Sequence, residues 1–342
     1  MNAYVPPHRR KNKNSNAGKQ ETETKTRIQQ TRLYHDQARN PRHQTTNSRW
    51  GKRNRLSSSS TASHNKNNEH HRYIAEKFTR ICCINLKRRR DRWETFCSRT
   101  KASLGEHSAM RNKVERFEAV DGTLIMEQRC SNNDYDFHDQ EFPNLQWDAT
   151  KNALYDHHIQ APMAKLMTPG EVGCAMSHVR LWKELAELDV ENATMLILED
   201  DAVFYGRKSG RKFVDAMKQV WKALPSDWDV LYLGFSDRGE RHYIVTDPKG
   251  SSNSCEIHLF RPTYGFHTHA YVLKASAAQV LLGNLPVNGP LDVWLADNEW
   301  FGLNVYCSVV ANEGWEGQGA WLVSQRRHDT KSDIGQSGRG LS

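Results

Sequence analysis

From Arg80 onward, apolar residues recur in short blocks whose spacing alternates between strand and helix. Arg80-Ile81-Cys82-Cys83-Ile84-Asn85-Leu86 is an apolar run, and the charged stretch Lys87 to Leu104 behind it carries Trp93, Phe96 and Leu104 at helical intervals. Val114 to Val120 alternates as a strand does and stops at the turn dipeptide Asp121-Gly122. Thr168-Pro169-Gly170-Glu171 predicts a helix start: an N-cap Thr, a Pro at the first helical position and a Glu that completes a capping box. The apolar face that follows is Val172, Ala175, Val179, Trp182 and Leu185. Thr194 to Leu198 is continuously apolar, as a buried parallel strand is, and ends in Glu199-Asp200-Asp201.

Further on, the pattern predicts a helix over Arg211 to Leu224 and a strand over Trp228 to Gly234. Strand-like runs follow at Cys255 to Phe260 and Ala270 to Leu273, then a helix near Ala275 to Leu285 and a strand over Val305 to Ala311. This alternation predicts an α/β fold, a mainly parallel sheet with helices on both faces. Between Thr123 and Met167 the periodicity fades, as in a long excursion.

Composition divides the chain. Its 342 residues carry a net charge of +8, but residues 1–72 hold 16 Lys+Arg against 4 Asp+Glu, leaving a net of −4 for residues 73–342. Only 12 of the first 72 residues are apolar, too few to offset chain entropy by burial. We therefore expect a disordered basic tail over 1–72 and one domain over 73–342, and the positive net charge says nothing of a phosphate-binding face on that domain. Seven scattered cysteines without a CxxC pair suit a reducing compartment rather than a disulfide framework or a zinc finger. With no apolar window of membrane-spanning length and no apolar signal core, a cytoplasmic location is expected.

The chemistry is expected at the carboxyl ends of the strands, where α/β sheets bind ligands. Glu199-Asp200-Asp201 places three carboxylates there. In extended conformation Glu199 and Asp201 share a side, and two such oxygens suit magnesium or manganese. The plainer reading is a solvated acidic turn; clustered negative charge beside an apolar strand is costly without a cation, which favours the metal.

Several of these blocks carry a family resemblance. Ile84-Asn85-Leu86 with Arg88, Arg89, Asp91, Arg92 and Trp93 resembles the opening motif of glycosyltransferase family 25, which includes lipooligosaccharide and collagen galactosyltransferases. Arg116 to Gly122, Gly170 to His178 with Trp182, Ile197 to Asp201, Trp228 to Gly234 and Ser332-Asp333-Ile334 resemble its later blocks in order. The resemblance spans about Arg80 to Ile334 and leaves out the tail and the segment Thr123 to Met167.

It implies a GT-A-type nucleotide-sugar fold and metal-dependent, inverting transfer of a hexose, commonly galactose, from a UDP-sugar to a glycan or protein acceptor. Glu199 and Asp201 would hold the ion, manganese by that resemblance, and Asp200 the sugar or a metal-bound water. For the catalytic base, Asp292 in Gly289-Pro290-Leu291-Asp292 is preferred, against a plain capping role and against Asp297 and Glu299. Asn85, Arg88, Arg92 and Asp121 are expected near the uridine and diphosphate, with a solvated helix face as the alternative for the arginines. His178 matches a family block; lying four residues after Cys174 on one helix face, it reads as one of a metal pair or as a satisfied buried histidine. His269 is a similar case. Trp315 and Trp321 either stack on an acceptor sugar or pack locally.

Two other classes compete. The basic tail could bind RNA or an acidic surface beside a non-catalytic domain, or the domain could bind UDP or glycans without transfer.

Overall fold

The computed structural model describes residues 69, 71–106, 108–124, 168–206, 211–244, 257–287, 289–311 and 319–326, all within one unit, Ser57–Ser342. Residues 1–68, 125–167, Cys255, Trp315 and Ser332-Asp333-Ile334 lie outside the described residues, so the readings placed on them stand as expectations.

Helical residues 71–76 lead into strand β1 (Arg80–Asn85), helix α1 (Arg90–Leu104), the single turn α2 (Ala109–Asn112) and strand β2 (Val114–Glu118). Next come α3 (Pro169–Ala186), β3 (Thr194–Glu199), β4 (Ala202–Phe204), α4 (Arg211–Ala223), β5 (Val230–Asp237) and β6 (Arg241–Tyr243). The fold closes with β7 (Ile257–Pro262), β8 (Gly265–Lys274), α5 (Ala275–Gly283), α6 (Leu291–Asp297), a tight turn Glu299–Gly302, β9 (Val305–Val310), β10 (Ala320–Trp321) and β11 (Val323–Gln325).

The main sheet has the order β2-β1-β3-β8-β5-β9-β7-β6, with β10 against β9. Strands β2, β1, β3, β5, β9 and β6 run one way; β8, β7 and β10 run against them. The sheet is therefore mixed at β8, although most of its strands are co-directional. Alternating side chains feed two cores. Cys82, Ile84, Met195 and Ile197 pack under α3, α5 and α6, while Ile81, Cys83, Leu196 and Leu198 pack under α1 and α4. This is the expected α/β class with helices on both faces.

Most predicted elements appear within a few residues of their expected bounds. Helix α1 starts at Arg90 rather than Lys87 because Arg89 N–H donates back to Leu86 O (2.9 Å), closing a turn first. The α3 start is as the sequence predicts: Thr168 Oγ1 accepts from Glu171 N–H (3.2 Å) and the Glu171 carboxylate accepts from Thr168 N–H (2.7 Å).

Candidate active site

Because β2, β1 and β3 are adjacent and parallel, their carboxyl ends open side by side. Asn85 closes β1, residues 119–123 follow β2, and Glu199 closes β3 with Asp200 in the turn after it. The first turns of α3 lie across these ends. That approach is backbone to backbone: a Cβ on Gly173 would stand 2.5 Å from Val120 O and 2.9 Å from Gly122 N, so only glycine fits. Ser177 fastens it, its hydroxyl accepting from Val120 N–H (2.9 Å) and donating to Gly173 O (2.6 Å).

Between these segments runs a cleft whose lining includes Asn85, Arg88, Arg92, Asp121, Cys174, His178, Glu199 and Asp200. On its α1 side Asn85 is a buried junction. Its Nδ2 donates to Asp200 Oδ2 (2.6 Å) and Arg89 O (3.1 Å), and its Oδ1 accepts from both Nε and Nη2 of Arg116 (2.9 and 2.6 Å). Arg92, in the first turn of α1, pairs with Asp200 and stands 3.8 Å from Asp201 Oδ2. At the cleft mouth Arg88 Nε donates to Asp121 Oδ2 (2.6 Å), while Asp121 Oδ1 accepts from Thr123. Burial tends to raise the Asp121 carboxyl, but the Arg88 and Thr123 hydrogen bonds hold it below its ordinary value.

On the α3 side, Glu199 Oε1 accepts from Thr268 Oγ1 (3.2 Å) and lies 3.8 Å from His178 Nε2. His178 Nδ1 is 2.8 Å from Tyr271 Oη, which also accepts from Trp182 Nε1–H (2.9 Å). Burial would raise the Glu199 carboxyl, yet His178, His269 and Thr268 together hold it low, at about 2. Asp201 is the reverse case. Burial, then the charges of Glu199 and Asp200, push its carboxyl up to about 7 despite Arg92. Asp200 is also raised, by burial first, with Arg92 and Asn85 opposing.

The cleft thus gathers seven predicted residues: Asn85, Arg88, Arg92, Asp121, His178, Glu199 and Asp200. Three others stand around it. Strand β3 ends at Glu199 and Asp201 lies in the turn after it, so the alternation expected for an extended chain stops one residue short of Asp201. Asp292 sits in the first turn of α6 with Oδ2 accepting from His267 N–H (2.9 Å) and Oδ1 from Val293 N–H (3.0 Å). Burial and then the Glu199 charge work to raise its carboxyl. His269 is buried on β8, its Nε2 3.2 Å from Val323 O.

Of the competitors to Asp292, Asp297 accepts from Tyr264 Oη (3.0 Å) and Glu299 is exposed. Trp321 packs on Phe235 and Phe260, with ring centroids 6.2 and 6.1 Å away, which is the local-packing alternative. Sequence reasoning passed over Arg116, Thr268 and Tyr271 as site residues. For Tyr271 a signal existed: it lies two positions beyond His269, on the same face of its strand.

The chain is similar to several known proteins. Procollagen galactosyltransferase 2 of Mus musculus is 28% identical over 217 residues, 63% of this chain and 29% of the relative. The Homo sapiens protein of that name is 27% identical over 216 residues, again 63% and 29%. Inactive glycosyltransferase 25 family member 3 of Homo sapiens is 28% identical over 217 residues, 63% and 30%. The chain therefore spans less than a third of the length of these relatives. The model of glycosyltransferase family 25 (LPS biosynthesis protein) matches residues 78–295, well over half of the chain and every residue of the cleft, and the chain belongs to that family.

Proposed function

We propose that the chain transfers a hexose, galactose first among the candidates, from a UDP-sugar to a hydroxyl of a protein or glycan acceptor, with inversion and with a divalent metal ion, manganese foremost. A GT-A-type nucleotide-sugar fold belongs to the same reading. The observation that carries it is the convergence of Glu199, Asp200 and Asp201 with Arg88 and Arg92 at the carboxyl ends of parallel strands. Family membership supports the transferase class, and the relatives named procollagen galactosyltransferase support galactose and a protein acceptor.

The donor set fits a cation. Arg92 compensates part of the negative charge, yet Asp201 stays pushed up and its Oδ1 has no hydrogen-bond partner among the described residues. Glu199 and Asp201 are the residues assigned to hold the ion, which when bound neutralises the diphosphate as it leaves. Arg88 offers a forked donor to a phosphate at the cleft mouth, where Asp121 positions it. Asp200, fixed by Asn85 and Arg92, presents a carboxylate to the donor sugar. Asp292 is assigned as the base: the acceptor oxygen bonds to the anomeric carbon, the bond to the diphosphate breaks with its electron pair on UDP, and the acceptor proton passes to the Asp292 carboxylate. Its raised carboxyl suits that task.

A second reading, donor binding without transfer, is favoured by the relative described as inactive, which is as similar to the chain as the galactosyltransferases are. One experiment separates them. UDP release is measured from a panel of UDP-sugars with manganese, with chelator, and with Asp200→Asn. Metal-dependent release that the variant reduces by about 100-fold or more supports transfer. Saturable UDP binding without release from any donor supports the second reading, and absence of both refutes the two together.

A further inference from the structure

We propose that Cys174, His178 and Glu199 form a site for a zinc-class divalent ion, with its fourth position open to the cleft. The site goes beyond the transferase reading and stands on geometry alone.

Cys174 and His178 are one helical turn apart on the same face of α3, and Glu199 faces them from the end of β3. Cys174 Sγ, a ring nitrogen of His178 and the Glu199 carboxylate all lie within 4.8 Å of one another. His178 is fully buried, and its Nε2 has no hydrogen-bond partner among the described residues. The 3.8 Å from Nε2 to Glu199 Oε1 is too long for a hydrogen bond. It is close to the roughly 3.4 Å that two metal bonds of about 2.1 Å subtend at a tetrahedral angle.

The donors are also held in place. Tyr271 Oη fixes the other ring nitrogen of His178 and is itself fixed by Trp182 Nε1–H; Thr268 Oγ1 holds Glu199 Oε1. Outer contacts of this kind orient imidazole and carboxylate ligands in metal sites. The ligand chemistry selects the ion. One sulfur, one imidazole nitrogen and one carboxylate suit zinc or cobalt, whereas magnesium and manganese prefer oxygen donors throughout. Three protein ligands with one side open is the arrangement of zinc sites that keep a position for water or substrate. Cys174 and Glu199 both line the cleft, so that position faces it. Glu199 is shared with the ion assigned to the donor diphosphate, so a zinc-class ion here displaces that arrangement.

The test is a titration of the metal-free full chain with Co2+, followed by absorption. We expect one equivalent to bind with a thiolate-to-cobalt charge-transfer band and the intense visible bands of a four-coordinate ion, all lost on adding Zn2+. Cys174→Ser removes the charge-transfer band, and His178→Gln weakens cobalt binding by about 10-fold or more. Cobalt binding without a thiolate band, a band that persists in Cys174→Ser, or no saturable binding overturns the proposal. Alkylation of wild-type Cys174, mapped by mass spectrometry, gives a measurement that needs no variant to fold: zinc protection supports the site, and unchanged labelling overturns it. Neither measurement uses a UDP-sugar, so failure of the transferase reading and failure of this one are distinguishable.

Discussion

Gly173 tests whether the backbone contact between α3 and the β2 loop builds the cleft. In Gly173→Ala the new Cβ would lie 2.5 Å from Val120 O and 2.9 Å from Gly122 N, both main-chain atoms that no side-chain rotation can move. Restoring an ordinary 3.4 Å contact requires α3 to retreat by about 0.9 Å. Overpacking of this kind costs about 1–3 kcal/mol. The same movement pulls Ser177 from Val120 N–H, now 2.9 Å away, and a lost hydrogen bond adds about 1 kcal/mol. Against this, alanine gains about 1 kcal/mol over glycine inside a helix. The net loss is about 1–3 kcal/mol, which for a domain of this size lowers Tm by roughly 2–6 °C. Differential scanning calorimetry measures it, alongside UDP affinity, which falls as α3 recedes from the cleft. Gly283→Ala is the control: nothing lies within 4 Å of its added Cβ and its backbone is not left-handed, so it leaves Tm unchanged or slightly raised. If Gly173→Ala raises Tm as the control does, helix propensity outweighs the contact and the close approach does not shape the site.

Three further outcomes follow from the same geometry. Arg92→Met leaves Asp200 and Asp201 without their buried cation and costs about 3–5 kcal/mol in urea unfolding, with part of the loss restored by a divalent ion. Tyr271→Phe strips Trp182 Nε1 and His178 Nδ1 of their common partner and costs about 2–3 kcal/mol, read from the same unfolding curves. Asp201 has a folded carboxyl near 7 against an ordinary value of 3.8, so the folded state holds an extra proton between those values. The stability of the metal-free chain then falls as pH rises through that window, by at most about 1.4 kcal/mol per unit, and Asp201→Asn flattens the slope; an unchanged slope refutes it.

The fold was legible in the sequence wherever burial imposed a period. The runs that became β1 and β3 are buried on both faces and read as continuous apolar strands, and the α3 capping box could be read residue by residue. Strands β4, β6, β10 and β11 have two or three residues each and are too short to leave a pattern. The direction of β8 was hidden because an apolar strand carries no mark of its orientation; antiparallel pairing to β3 and β5 is set by chain connection. Among site residues, those next to a strand end could be found: Asn85, Asp121, Glu199 and Asp200. Arg116 could not, since its role depends on pairing β2 with β1 in the register that sets Asn85 opposite Glu118, leaving Arg116 two residues back on the same face.

The acidic tripeptide also shows why local sequence underdetermines its chemistry. Three adjacent carboxylates look equivalent in the chain, yet the end of β3 divides them between two environments. Glu199 follows the alternation of the strand onto the α3 side, where His178 and Thr268 keep it ionised. Asp200 turns to the α1 side and is fixed by Asn85 and Arg92. Asp201, in the turn beyond the strand, meets burial and the charge of the other two, opposed by a distant share of Arg92 and a hydrogen bond from Gln325, and its carboxyl is pushed up to about 7. One tripeptide therefore supplies a carboxyl held low, one clamped between Asn85 and Arg92, and one pushed up. A metal ion at Glu199 must displace the proton on Asp201 to recruit it, whereas an ion drawn to Cys174 and His178 finds Glu199 ionised but must displace the thiol proton of Cys174, which burial and the Glu199 charge push up. Metal identity and the protonation of Asp201 are thus linked through the sharing of Glu199, and titrations with cobalt and with manganese at two pH values read that link directly.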